Sequence, residues 1–215
     1  MTLKPPTIPA QLLPAQSPLD LLQTAREEES ELRGLHFLNV DLTGQDLSRL
    51  CFRQSVLERC RFSGCDGYKL EFVDCRLRSC DFSGSDLRDG YFGSCSLESC
   101  RLTGASLRGA ALRKSTFVGC RMESVDFEDA TLTQLEILDS CLRESLFFDS
   151  KLKNLSLQQT DLCGARFLQT PLARLDLSDC TIDGIQILPP ANVKGVTVND
   201  WQAAELVKLF DVIVK

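Results

Sequence analysis

The sequence has almost none of the residues on which catalysis usually rests. It holds one histidine (His36), one tryptophan (Trp201), two tyrosines and two methionines in 215 residues. A lone histidine leaves no His–carboxylate or His–thiol pair for acid–base or nucleophilic chemistry. No glycine-rich phosphate loop, nucleophile elbow or spaced set of metal ligands is present. The chain is therefore expected to be no enzyme, and to need no cofactor, metal or small-molecule substrate. Positive charge is also short, with 24 lysines and arginines against 30 aspartates and glutamates and a formal charge of −6. Direct nucleic-acid binding calls for a basic footprint and is not expected. No run approaches the roughly eighteen apolar residues of a membrane span. The proline-rich start MTLKPPTIPAQLLPAQSP has no apolar core of a signal peptide. These absences predict a cytoplasmic protein that meets no membrane.

Cysteine, in contrast, is abundant, at eleven residues. In a reducing compartment disulfides are disfavoured, and an odd count leaves a thiol over in any case. What the cysteines do depends on a repeat. Every fifth residue from Leu32 to Ile187 is large and apolar in 31 of 32 cases, Gly67 being the exception. A period of five matches neither the helix, at about 3.6, nor the strand, at about two. It fits a chain that turns its inward direction every five residues and closes a four-sided coil every twenty. Gly44, Gly64, Gly84, Gly104, Gly164 and Gly184 keep that longer spacing. Each lies two residues after an apolar centre, where a type II turn needs φ > 0. One edge of the coil is expected to be built from such turns. At Gly67 the face is expected to bulge, or Tyr68 to fill the gap.

The position two before each centre is Ser, Cys, Ala, Gly or Thr in 22 of 32 cases, as a narrow lumen packed to interior density requires. Eight cysteines sit there. Cys60, Cys80, Cys100 and Cys120 are twenty apart and should stack in one column beside core residues such as Leu77 and Phe82. A straight column does not make the tetrahedron of sulfurs, about 2.3 Å from the metal, that zinc takes. Even the square of Cys75, Cys80, Cys95 and Cys100 reads as core filling, because free cysteine behaves as a small hydrophobe. Outside the lumen, Asp46, Asp66, Asp86 and Asp126 recur on one face, with Ser106 in the gap. This stripe is expected either to engage a basic partner surface or to be used up in side-chain hydrogen-bond ladders.

Three regions follow: an N-terminal arm and cap over 1–29, the repeat over 30–189, and a C-terminal segment over 190–215. Ser17-Pro18-Leu19-Asp20 reads as a helix start, predicting a helix over 18–27. Asn199 to Gln202 resembles a capping box. The helix after it carries Ala203, Leu206, Val207 and Phe210 on one face, beside Trp201 and before Val212, Ile213 and Val214. This apolar segment is expected either to fold back onto the last coil or, as the favoured reading, to meet the same surface on a second chain in a homodimer joined through the C-terminus.

Repeats such as Asp81-Phe-Ser-Gly-Ser and Ala105-Ser-Leu-Arg-Gly resemble the A(D/N)LXX pattern of pentapeptide-repeat proteins. The resemblance implies an all-β solenoid, a right-handed quadrilateral β-helix of about eight coils. Gly195-Val-Thr-Val-Asn-Asp-Trp-Gln-Ala-Ala and Leu209-Phe-Asp-Val-Ile-Val are similar to the end of Qnr-type quinolone-resistance proteins. That likeness implies a tail-to-tail dimer that binds DNA gyrase or topoisomerase IV by imitating duplex DNA. The register here lacks the loops that interrupt many Gram-negative Qnr proteins, which places the likeness with the loopless branch. Charge alone does not make the imitation. A dimer rod of about 76 Å would stand in for roughly 45 phosphates, with twice −6, or −12, formal charges. Arg33, Arg53 and Arg113 add a basic column on another face, so any mimicry is local and led by shape. The alternative is a scaffold for an unrelated partner.

Overall fold

The computed structural model describes residues 3–210, and the chain forms a parallel β-solenoid. Eight full coils occupy 30–189, and residues 190–198 begin a ninth. Successive coils pair in register twenty residues apart. On the first face Leu32 pairs with Phe52, then Phe72, Phe92, Leu112 and Leu132. On the second, Phe37 pairs with Leu57, Leu77, Leu97 and Phe117. The third and fourth faces carry bridges through Asp41–Arg61–Asp81–Arg101 and Asp46–Asp66–Asp86–Ser106–Asp126.

The five-residue register is a lumen, as expected. Phe82 and Leu77 are fully buried. Phenylalanines twenty apart stack face to face, Phe62 on Phe82 at 4.5 Å and Phe147 on Phe167 at 4.5 Å. The small positions line the same interior. Cys60, Cys80, Cys100 and Cys120 are buried, and the Cys80 thiol donates to the carbonyls of Leu57 and Arg78, both at 3.5 Å. A buried thiol thus gives wall carbonyls a further donor, Arg78 O also accepting the Arg59 amide at 2.9 Å, and the hydroxyls of Ser55, Ser85 and Ser115 do the same elsewhere.

Two local expectations need correction. Left-handed residues are not confined to one edge. Arg49, Gln54, Arg59, Asp74 and Asp89 all have φ between +50° and +61°, so every corner turns through this region. Glycine is concentrated at one corner only, and at Gly44, Gly64, Gly84 and Gly104 an added Cβ would meet nothing within 4 Å. At Gly67 the ladder does not bulge, since its amide donates to Asp86 O at 2.7 Å. Leu87 and Leu70 fill the gap instead, lying 2.8 and 3.3 Å from where a Cβ would stand.

Helix α1 (Pro18–Glu27) buries Leu22 and Ala25 against the first coil. Its entry differs from the expected cap, because Ser17 is left-handed and makes no side-chain capping bond. Before it, Leu13–Pro14 adds a short strand to the second face, pairing with Leu35 and His36. The arm then lies along the rod, with the Thr7 amide on Asp74 Oδ1 at 3.2 Å and Leu3 beside Asn154 and Leu155. No helix of the described residues is long and apolar enough to cross a membrane.

Candidate interaction surfaces

The four aspartates of the predicted stripe stand one above another on the fourth face. Each first serves its own turn. Asp46, Asp66, Asp86 and Asp126 accept the backbone amide two residues ahead at 2.9, 3.1, 3.1 and 2.9 Å. This side-chain turn satisfies a donor the coil does not use. The carboxylate at Asp46 is held below its ordinary range by the Ser48 hydroxyl and amide, and that at Asp86 by the Arg88 guanidinium. Ser106 interrupts the series, and its hydroxyl is buried without a partner among the described residues.

Much of the stripe's charge is answered within the chain. Arg26 lies 3.3 Å from Asp46, Arg88 2.6 Å from Asp86, and Arg108 3.9 Å from Asp126. Only Asp66 has no ion pair among the described residues. A basic partner would therefore displace exposed arginines, each holding its pair weakly.

Below the stripe the fourth face changes character. Its turns give way to strands Leu146–Phe148, Arg166–Leu168 and Gln186–Leu188. Phe148, Leu168 and Leu188 align on the outside, with Phe148 39% and Leu188 53% exposed. Sequence reasoning missed this apolar column. Its signal was available: large apolar residues one place after the centre, where the upper coils carry Ser48, Arg88 and Arg108.

The C-terminal helix α2 (Asp200–Lys208) has the expected capping box between Asn199 and Gln202. The predicted apolar face is split. Gln202 is buried and its amide donates to Leu177 O at 2.7 Å and Cys180 O at 2.6 Å, closing the last coil. That anchor turns Leu206 and Leu209 onto the core. Leu206 is therefore not part of a free surface, contrary to its place in the predicted dimer face. Ala203, Val207 and Phe210 point outward with Trp201, which is 89% exposed. Val212, Ile213 and Val214 lie outside the described residues.

The cysteines gather no metal site, and no group of three or more His, Cys, Asp or Glu suited to a metal occurs among the described residues. Burial pushes the Cys75 thiol up to about 12 and the Cys95 thiol well above its ordinary value. Thiols so held stay protonated, the opposite of a reactive or ligating cysteine.

Residues 90–167 match the family described as pentapeptide repeat region, and residues 28–64, 46–84 and 55–98 match pentapeptide repeats (8 copies). No curated protein matches the chain. Among solved structures, the pentapeptide-repeat protein Rfr23 from the cyanobacterium Cyanothece is similar at 17% identity and a TM-score of 0.52, over 57% of this chain and 97% of that one. Full-length QnrB1, a plasmid-mediated fluoroquinolone resistance protein, matches at 17% identity and a TM-score of 0.38, over 84% and 99%. HetL, a pentapeptide-repeat protein involved in heterocyst differentiation regulation in Nostoc, matches at 18% and 0.37, over 78% and 86%. At these identities the likeness is one of fold. With a five-residue register closing a four-sided parallel coil, and with these matches running from residue 28 to 167, the chain belongs to the pentapeptide-repeat family.

Proposed function

We propose that the chain is a non-enzymatic, homodimeric ligand of a type II topoisomerase, DNA gyrase or topoisomerase IV. It occupies the saddle that takes duplex DNA, inhibiting the enzyme, relieving fluoroquinolone poisoning, or both. The observation that carries this reading is the ladder of Asp46, Asp66, Asp86 and Asp126 on one face of a rigid rod. Carboxylates repeating about every 4.8 Å offer a basic groove a row of acceptors where phosphates would otherwise stand. The Qnr-like C-terminal segment supports the same reading, and the outward Trp201, Val207 and Phe210 offer the dimer an apolar contact.

The arginines paired to the ladder favour a second reading, a scaffold whose aspartates serve mainly their own turns and whose partner is unrelated. DNA supercoiling by gyrase, with and without a fluoroquinolone, separates the two. The first reading expects inhibition or drug relief at about micromolar dimer. No effect on either sinks it.

A further inference from the structure

The coil stack is not continuous. On the first face the amides of Gln54, Asp74 and Ser94 each donate to the carbonyl nineteen residues ahead, at 2.9 Å. On the second, Arg59 and Asp139 do the same at 2.9 and 3.1 Å. The equivalent amides of the seventh coil, Asn154 and Gln159, find no such partner. Among the described residues no backbone hydrogen bond joins 151–159 to 171–178. Strand Lys151–Gln158 is paired on one edge only, with Thr131–Leu138. The third and fourth faces stay closed at this level, through Asp161–Thr181 and Phe167–Ile187. Two coils are thus splayed on two faces and joined on the other two.

On the first face the split has a cause in the sequence. Glu71, Tyr91, Ala111, Thr131 and Lys151 each donate their amide to the carbonyl 21 residues earlier. Pro171 stands at the next such position and has no N–H to give. The eighth coil then folds its first face as a turn, Leu175 N to Leu172 O at 3.0 Å, and bonds downward, Leu172 N to Asn192 O at 3.0 Å.

What opens is a cleft of about 470 Å³ lined by Leu152, Leu155, Leu172 and Leu175. Leu152 is the one large apolar centre among the described residues that is not buried. At the first-face mouth stand Lys153 and Arg174, without an ion pair among the described residues, and at the second-face mouth, which Arg174 also borders, Asp176 and Asp179.

We propose that this split is a docking slot for an extended peptide segment of a partner protein, added as a parallel strand to the free edge of Lys151–Gln158. Unpaired backbone donors and acceptors on a strand edge recruit another strand, and pockets for alternate side chains select it. The slot takes apolar side chains between the four leucines. The flanking charges require a segment acidic at its N-terminal end, over Lys153 and Arg174, and basic at its C-terminal end, over Asp176 and Asp179. This inference does not depend on the topoisomerase reading.

The test uses the full chain and two blocked peptides of about eight residues, valine and threonine with one central glycine to follow the left-handed corner at Asn154, one with glutamate first and lysine last, the other reversed. Titration calorimetry should show the glutamate-first peptide binding at least about tenfold more tightly. In Lys153→Glu with Arg174→Glu, both exposed and away from the core, both mouths become acidic, so the preference between the two peptides should vanish while the melting temperature holds. Amide exchange at Asn154 and Gln159, which face the free edge, should be fast in the free chain and slow at least about tenfold with peptide. Failure of both peptides to bind at about 1 mM overturns the proposal, as do Asn154 and Gln159 amides that are already slow in the free chain. Slowing that grows with chain concentration would give the slot to a second copy, and slowing lost on removing 211–215 would give it to the chain's own end. Either result overturns the choice of a separate partner.

Discussion

Replacing Phe82 by alanine tests the lumen where it is tightest. The Phe82 ring is fully buried, stacked on Phe62 with centroids 4.5 Å apart and planes 3° from parallel, and set edge-on to Phe72 at 6.0 Å. Removing it loses the transfer free energy of the ring and leaves a void the neighbours close only in part. The third and fourth centres of each coil are pinned by backbone bonds to coils above and below, Phe82 N to Arg101 O at 2.7 Å among them, which limits collapse. The cost is therefore about 3–5 kcal/mol, the usual range for a buried Phe→Ala. In a chain of this size, with roughly 2–4 °C per kcal/mol, melting should fall by about 6–20 °C. Calorimetry or circular dichroism against temperature reads it directly. Phe82→Leu supplies the control, because Leu102 fills the same place one coil on, and should cost about 1 kcal/mol. Because neighbouring coils share each lumen layer, amides of the adjacent coils should exchange faster before those at the ends do. An unchanged melting temperature for Phe82→Ala, or a loss no larger than for Phe82→Leu, would refute the inward assignment of the five-residue register.

Other outcomes follow from the same geometry. A thiol reagent should label Cys51, Cys141 and Cys163 in the native chain and the eight buried cysteines only on unfolding; rapid labelling of Cys80 or Cys100 would contradict their place in the lumen. Gln202→Ala should cost about 1–3 kcal/mol, since Cys180 O loses its donor and Leu177 O keeps only the Cys180 amide, and hydrogen exchange at 177–180 should rise first; an unaltered exchange pattern would refute the cap. The Asp41 carboxylate, held down to about 2 by the Thr43 hydroxyl and amide and by Arg61, is depressed in the folded state. Its contribution is therefore present above about pH 4 and lost as pH falls toward 2, so Asp41→Asn should flatten the acid limb of stability; an identical limb would count against it. Val207→Asp with Phe210→Asp, leaving Leu206 on the core, should give monomer by light scattering, and a persistent dimer would exclude this face as the interface.

The repeat was legible in the sequence because each of its requirements is local. An apolar centre recurs every five residues, usually with a small residue two before it, and on the third and fourth faces an aspartate just before it often accepts the amide ahead. The capping box at Asn199 and Gln202 was equally plain, since both partners lie within one turn of helix. The pairing of the acidic stripe was less so. Arg88 lies next to Asp86 in sequence, but Arg26 reaches Asp46 only because α1 docks on the first coil.

By itself the sequence determined the lumen, the register of twenty, the bounds of α1 and the start of α2, because those follow from contacts at short or fixed separations. Only the tertiary structure decided which side of α2 meets the core, since the choice turns on where Gln202 reaches the carbonyls of Leu177 and Cys180. It alone decided that Leu70 and Leu87 close the gap at Gly67. And it alone decided that the ladder, missing a donor at Pro171 on the first face, opens on two faces of the rod while the other two hold.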